Sequence, residues 1–349
     1  MMSRRKFALF GAAAVAASAV VMFVGLLGLD LYAHHRADRS AGLNRWGYRG
    51  PVVGRKQRGE VRVAMLGGST VFGYGGLWNE AIPALLETEL RATHAERRWT
   101  GLNLGYNTEG AWAFLPNLED FSRLDYDIVI LYEGYNDLLG DQAPNHVLAR
   151  RRSPVFRATG YFPILPLVLR EKAMSLRTGG HLEAEYGVQP GTPKTMFRPG
   201  IARHSSAIAL DAAAGVAEFF GRQFEQVGAT AAASPMSNDL ECVSPWLEYC
   251  ESVSRAVRFA LVHGKRVVVA TQPRMVDPEL RARHHSQQRA LADGLAREFA
   301  TEPGVVYVDL SDTVDLTDNN FAFDLMHLGA NGNRVIAKAL TGIVAGLAP

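Results

Sequence analysis

The sequence predicts a three-layer α/β fold: a parallel five-stranded sheet with helices on both faces, joined to an N-terminal transmembrane helix and a mainly helical insertion. Three observations lead there. From Val61 to the C-terminus, short β-branched runs alternate with segments of helical periodicity, the pattern of a parallel sheet covered on both sides. An uncharged stretch, Phe7 to Leu29, precedes all of them. Between the third and fourth runs the chain spends far more residues, Leu138 to about Cys242, than a crossover needs.

The elements follow in order. Arg4, Arg5 and Lys6 stand before the uncharged run, which as a helix rising about 1.5 Å per residue reaches across a hydrocarbon core of about 30 Å. Ser3-Arg-Arg-Lys-Phe7 resembles a twin-arginine export pattern, and Ala17-Ser18-Ala19 resembles a cleavage site. The apolar run continues well past Ala19, which favours an uncleaved single-pass anchor at the cell membrane, its basic end in the cytoplasm and the rest extracytoplasmic. Residues 1–33 are thus assigned to an anchor or uncleaved signal and 34–60 to a connector. The aromatics in Asn44-Arg-Trp-Gly-Tyr-Arg-Gly-Pro51 suit packing on the domain that occupies 61–349.

Val61 to Leu66 reads as the first strand, and Leu77 to Ala92 as a helix with Ile82, Leu85, Leu86 and Leu90 at helical spacing. Gly101 to Gly105 is a short strand, Ala111 to Phe121 a helix despite Pro116, and Asp127 to Tyr132 a buried strand. Arg266 to Thr271 and Val305 to Leu310 complete the sheet. Helices are expected near Trp246 to His263, over Ser286 to Ala300, and over Asn333 to Leu347, where Ile336, Leu340, Ile343 and Leu347 share a face. The insertion, about 138–242, holds a Pro- and aromatic-rich half around Tyr161 to Leu169 and an Ala-rich helix near Ile208 to Val227. It is placed to act as a cap over the sheet, and an ornamental or membrane-leaning segment would read the same way.

Composition narrows the function. Lys and Arg, 37 together, nearly balance 35 Asp and Glu, for a net charge of +2, which predicts no nucleic-acid footprint. Leu148 to Arg177 is locally basic, with six Arg and one Lys against Glu171; a solvated surface is the default for such a cluster. The two cysteines, Cys242 and Cys250, are close enough in sequence to close a small disulfide loop outside the cytoplasm, and two free thiols would have the same spacing. His284-His285 lacks the i, i+4 spacing of a helical metal site, so neither metal nor cofactor is expected.

The chemistry gathers at strand ends. In a doubly wound sheet of flavodoxin-like order 2-1-3-4-5, the crevice opens beyond the carboxyl ends of strands 1 and 3. Strand 1 breaks at Gly67-Gly68, whose freedom of backbone angle suits a sharp turn, and presents Ser69 there. A serine at such a place also suits a helix cap. Strand 3 runs into Glu133-Gly-Tyr-Asn-Asp137 and delivers Asn136, while the strand 2 turn, Asn103 to Gly110, offers a backbone N–H from Gly105 or Gly110. In Phe323-Asp-Leu-Met-His-Leu328 the spacing lets Asp324 reach one ring nitrogen of His327 and leave the other pointing outward.

Gly67-Gly-Ser-Thr70, Asn103-Leu-Gly105, Gly134-Tyr-Asn-Asp137 and Asp324-Leu-Met-His327 resemble, in order, four sequence blocks of the SGNH (GDSL-type) hydrolases. The resemblance covers Val61 to Leu347 apart from the insertion, and the anchor and Gly-Tyr-Arg-Gly stretch look like membrane-anchored bacterial members. Gly68 stands where the family often has Asp, and the second block is unusually spaced. The resemblance implies a Ser-His-Asp esterase with Ser69 as nucleophile, His327 as base and Asp324 as its orienting carboxylate. Its oxyanion hole would use the Ser69 N–H, Gly105 or Gly110, and Asn136. The Gly-x-Ser-x-Gly elbow of α/β-hydrolases is not met, since Val71 stands at its last position.

The expected substrate is an acylated small molecule, glycan or lipid, with specificity assigned to the insertion and the Trp112, Phe114 and Tyr135 region. Two other functions use the same residues. One is an acyltransferase passing the acyl group from serine to a glycan; the other is a non-catalytic envelope scaffold. Protein partners are not specified by the sequence.

Overall fold

The computed structural model describes residues 4–139, 150–151, 153–169, 242 and 244–349. The Ala-rich helix expected near Ile208 to Val227 lies outside them. Helix α1 (Arg4–Ala41) opens the chain, and it is long and apolar enough to cross a membrane by length and composition. Leu9 to Leu29 are exposed. Beyond that it docks: the Asp30 carboxylate accepts hydrogen bonds from the Leu165 N–H at 2.6 Å and the Tyr161 hydroxyl, and His34 Nε2 lies 2.7 Å from the Phe162 carbonyl. The helix therefore continues into the stretch assigned to the connector, because its last turns bury Ala33 and Ala37 against the domain.

The sheet has five parallel strands, β1 (Glu60–Leu66), β2 (Arg98–Asn103), β3 (Ile128–Leu131), β4 (Arg266–Ala270) and β5 (Val305–Val308), in the order β2-β1-β3-β4-β5. Val63 pairs with Gly101 on one side and Ile128 on the other. Successive residues point to opposite faces. Val61, Val63, Met65, Ile128, Ile130 and Val268 pack with α3 (Ile82–Thr93) and the C-terminal α9 (Ala330–Gly346). Ala64, Leu66, Val129, Leu131, Val267 and Val269 face α4 (Phe114–Asp120), α7 (Leu247–Val262) and α8 (Pro278–Glu298). Between these lie two short helices that reach the sheet's rim, α2 (Ser69–Phe72) and α5 (Tyr135–Leu139), with α6 (Pro154–Thr159) beyond them.

Several bounds differ from the sequence reading for physical reasons. Strand β2 starts at Arg98 rather than Gly101, with Arg98 exposed and Trp99 buried as suits an edge strand. Helix α3 starts at Ile82, after a separate turn at Trp78–Glu80, because Pro83 is tolerated only in a first helical turn. Pro116 likewise falls in the first turn of α4, following a tight turn at Ala111–Ala113. Helix α8 begins at Pro278, capped by the Asp277 carboxylate on the Leu280 N–H at 2.9 Å. Cys242 and Cys250 are joined in a disulfide.

Candidate active site

Strand β1 ends at Leu66 and the chain turns through Gly67 and Gly68 into α2. The glycines are not there for left-handed angles: Gly68 has φ −83°, and neither is among the positive-φ residues. They are there for space. A Cβ on Gly67 would lie 2.2 Å from the Tyr132 carbonyl oxygen, and one on Gly68 would lie 2.2 Å from Asn136 Nδ2 and 2.5 Å from Glu133 Oε2. The turn is thus pressed against the end of β3. Gly68 is the residue at the N-cap, so Ser69 is the first residue of the helix rather than its cap, and its hydroxyl-bearing side chain is only partly buried.

That hydroxyl meets His327. Its Oγ lies 2.8 Å from Nε2, and Nδ1 on the other side of the ring lies 2.6 Å from Asp324 Oδ2. The remaining carboxylate oxygen, Oδ1, accepts the N–H of His327 at 2.7 Å and of Met326 at 3.1 Å, closing a turn in which Leu325 takes φ +65°. Burial works to raise the Asp324 pKa, but the His327 side chain and the two N–H donors outweigh it and hold the carboxyl below its usual range. Asp324 is therefore an anion at neutral pH, aimed at the imidazole. The Tyr74 and Phe323 rings flank His327, at centroid distances of 4.9 Å and 6.0 Å.

The donors opposite come from β3 and the β2 turn. Asn136 Nδ2 gives one hydrogen to the Glu109 carbonyl at 2.8 Å; a primary amide carries a second. Gly105 and Gly110 occupy different places. The Gly105 N–H donates to Asn103 Oδ1 at 3.1 Å, and its Cα packs on Val71 and Phe72. Gly110 lies beside Asp137, whose carboxylate accepts the Ala111 N–H at 3.0 and 3.1 Å and would be 2.7 Å from a Cβ at that glycine. Burial pushes the Asp137 pKa up to about 7 against that hydrogen bond.

A residue the sequence reading passed over ties these segments together. The buried Glu133 carboxylate accepts the Gly68 N–H at 2.5 Å, the Gly134 N–H at 3.0 Å and the Asn136 N–H at 3.1 Å. Burial, with the charge of Asp137, pushes its pKa up to about 8 against the pull of those three donors. Gln272, at the end of β4, adds a second tie, donating to Thr70 Oγ1 at 2.8 Å and accepting the Tyr135 N–H at 2.9 Å. The one signal for Glu133 was a charged residue ending an otherwise apolar strand. Two residues expected to govern specificity do not face an opening: Phe114 and Tyr135 are each 2% exposed and belong to the core, because their helices turn those positions toward the sheet.

A groove of about 750 Å³ lies between the connector and the β2 edge, lined by Pro51, Trp78, Glu87, Arg91 and Trp99 among others. Ser69, Asn136, Asp324 and His327 are not part of it, so the reactive groups and not the size of the groove locate the site. Among the described residues no His, Cys, Asp and Glu cluster has a metal-binding arrangement.

A strand-end serine hydrogen-bonded to a histidine, itself paired with a carboxylate on a parallel α/β sheet, is the layout of a serine hydrolase. The chain belongs to the GDSL-like Lipase/Acylhydrolase family, which matches residues 65–335, and it is a carboxylic ester hydrolase. Among solved structures it is similar to LAE5, an alpha/beta hydrolase enzyme from the metagenome of Lake Arreo, Spain, with 17% identity, 82% of this chain and 96% of that one covered, and a TM-score of 0.43. It is also similar to a catalytic mutant of Axe2, an acetylxylan esterase from Geobacillus stearothermophilus (12% identity, 80% and 92% covered, TM-score 0.42). A third is Est24, a carbohydrate acetylesterase from Sinorhizobium meliloti (12%, 82% and 99%, 0.41). No curated protein sequence matches the chain.

Proposed function

We propose that the protein cleaves an acyl ester through a covalent acyl-serine at Ser69. The observation that carries this is the continuous chain of contacts from Asp324 Oδ2 through His327 to Ser69 Oγ, at 2.6 and 2.8 Å. His327 Nε2 takes the hydroxyl proton as Oγ attacks the ester carbonyl, and returns it to the departing alcohol oxygen. Water then adds to the acyl-serine, giving a proton to Nε2 that passes back to Oγ as the acid leaves. Asp324 keeps the proton of the neutral ring on Nδ1, which leaves Nε2 free to act as base.

The tetrahedral oxygen would be held by the Ser69 N–H, which has no acceptor within its own helix, by the Gly110 N–H and by the second Asn136 hydrogen. Gly110 fits this role better than Gly105, whose N–H already serves Asn103. The substrate is placed on an extracytoplasmic carbohydrate or lipid, with α1 as a single-pass anchor. The basic Arg4, Arg5 and Lys6 ahead of its apolar stretch support that orientation, as does a disulfide, which suits an oxidising compartment. Ser69→Ala is expected to abolish hydrolysis of short p-nitrophenyl esters by folded protein. Undiminished turnover in that variant would remove the assignment.

A further inference from the structure

The family match begins at residue 65, yet the nucleophile turn is held from outside it. Arg49, in the connector, is 4% exposed. Its Nε donates to the Ala41 carbonyl at 2.7 Å, Nη1 to Gly73 at 2.9 Å and to Phe72, and Nη2 to Gly76 at 2.6 Å. The guanidinium lies 4.4 Å from the centre of the Phe72 ring. Its own backbone N–H joins the Asn103 carbonyl at 3.1 Å, and Asn103 Nδ2 in turn donates to the Val71 carbonyl at 2.9 Å.

Of these acceptors, the Val71 and Phe72 carbonyls belong to α2, where a helix's last carbonyls find no donor within it; Gly73 and Gly76 follow in the turn that leaves it. Helix α2 has four residues; the Ser69 carbonyl accepts the Gly73 and Tyr74 N–H groups, and Val71 and Phe72, two and three residues after Ser69, take their donors from outside the helix. Arg49 and Asn103 supply the missing donors. The geometry needs a fork: one group must reach Ala41, Phe72, Gly73 and Gly76 together, which a lysine ammonium on a single stem does not match. Burial is unfavourable to the charge and brings the Arg49 pKa down to about 10, with Glu80 opposing. A buried cation whose hydrogen bonds go to backbone carbonyls at the nucleophile turn is a costly way to tether a connector, and a direct way to fix that turn.

We infer that Arg49 is a positioning residue for Ser69: it clamps the C-terminal end of α2 to the last turn of the N-terminal helix, so the connector is a working part of the site. The inference rests on Ser69 being the nucleophile. In the full-length, detergent-solubilised protein, Arg49→Ala and Arg49→Lys are expected to lower kcat on a short p-nitrophenyl ester by on the order of 10- to 100-fold, the loss that a displacement of about 1 Å at a reacting atom brings. KM should stay within about threefold, since Arg49 touches no substrate, and the rate of labelling by a fluorophosphonate should fall with kcat.

Three results would overturn it: kcat within about twofold of the parent in a folded variant, a loss confined to KM, or failure of both variants to fold, which would give Arg49 a role in stability alone. Ser69→Ala measured alongside separates the two ideas. If it is inactive while Arg49 variants are normal, only the clamp fails; if it is active, the nucleophile assignment fails.

Discussion

Replacing Asp324 by Asn changes almost no volume and tests the imidazole tautomer directly. Oδ1 accepts two N–H groups, those of His327 at 2.7 Å and Met326 at 3.1 Å. An amide nitrogen there would face two donors, leaving polar groups unpaired at about 1–3 kcal/mol each. The Asn oxygen is therefore held at that position, and its nitrogen takes the place of Oδ2, 2.6 Å from His327 Nδ1. That nitrogen donates, so Nδ1 becomes an acceptor and the neutral ring carries its proton on Nε2, pointing at Ser69 Oγ. A protonated Nε2 cannot act as the base. The same reversal in a serine protease triad lowers kcat about 10⁴-fold, or about 5 kcal/mol of barrier, and a loss of that order is expected here. Steady-state hydrolysis of p-nitrophenyl acetate measures it, with thermal unfolding to show that the fold is kept. A variant retaining kcat within about tenfold would refute the tautomer argument.

Two further outcomes follow from the neighbouring contacts. Asn136→Ala removes a donor from the proposed oxyanion position and should lower kcat by about 10²- to 10³-fold with KM little changed; an effect on KM alone would assign Asn136 to substrate binding. Glu133 sets a pH dependence of stability. Its pKa is raised from 4.5 to about 8 in the folded protein, so between those values the folded chain holds a proton that the unfolded chain has released. Stability therefore declines as pH rises through that window. Asp137, raised from 3.8 to about 7, acts with the same sign. Thermal unfolding midpoints followed across the window should fall less steeply in Glu133→Gln, and equal slopes would contradict the account.

Much of the fold was legible because its strands are buried on both faces. Ile128 to Leu131 and Val267 to Ala270 offer no polar face, so run length and β-branching located them. Elements with one face in water are less legible. Strand β2 begins with an exposed arginine, and α8 opens through Glu279, Arg281 and Arg283, whose polarity hid the helix although Asp277-Pro278 is an N-cap and first-turn signature. The site divides in the same way. Ser69, Asn136, Asp324 and His327, the residues of the candidate site, could be singled out because each stands in a short local pattern, the first two in the first turn of a helix that follows a strand and the others in the loop before the C-terminal helix.

What holds them is not local. The Gly67 and Gly68 contacts include Tyr132, Glu133 and Asn136, just beyond the end of β3, so the need for glycine looks in the sequence like one of backbone angle when it is one of space. The choice between Gly105 and Gly110 turns on which N–H is already engaged, and that depends on the Asn103 side chain. Arg49 stood in a stretch whose aromatics suggested packing, but its carbonyl acceptors at Phe72, Gly73 and Gly76 emerge only once α2 is in place.

Ser69 is proposed to carry the acyl group, and His327 to make it able to. Treating the purified protein with a fluorophosphonate, digesting it and locating the adduct by mass spectrometry tests both halves at once. One modified peptide bearing the phosphonyl group on Ser69 is expected, with labelling lost in Ser69→Ala and strongly slowed in His327→Ala. An adduct on another residue, or labelling of Ser69 at an undiminished rate without His327, would contradict it.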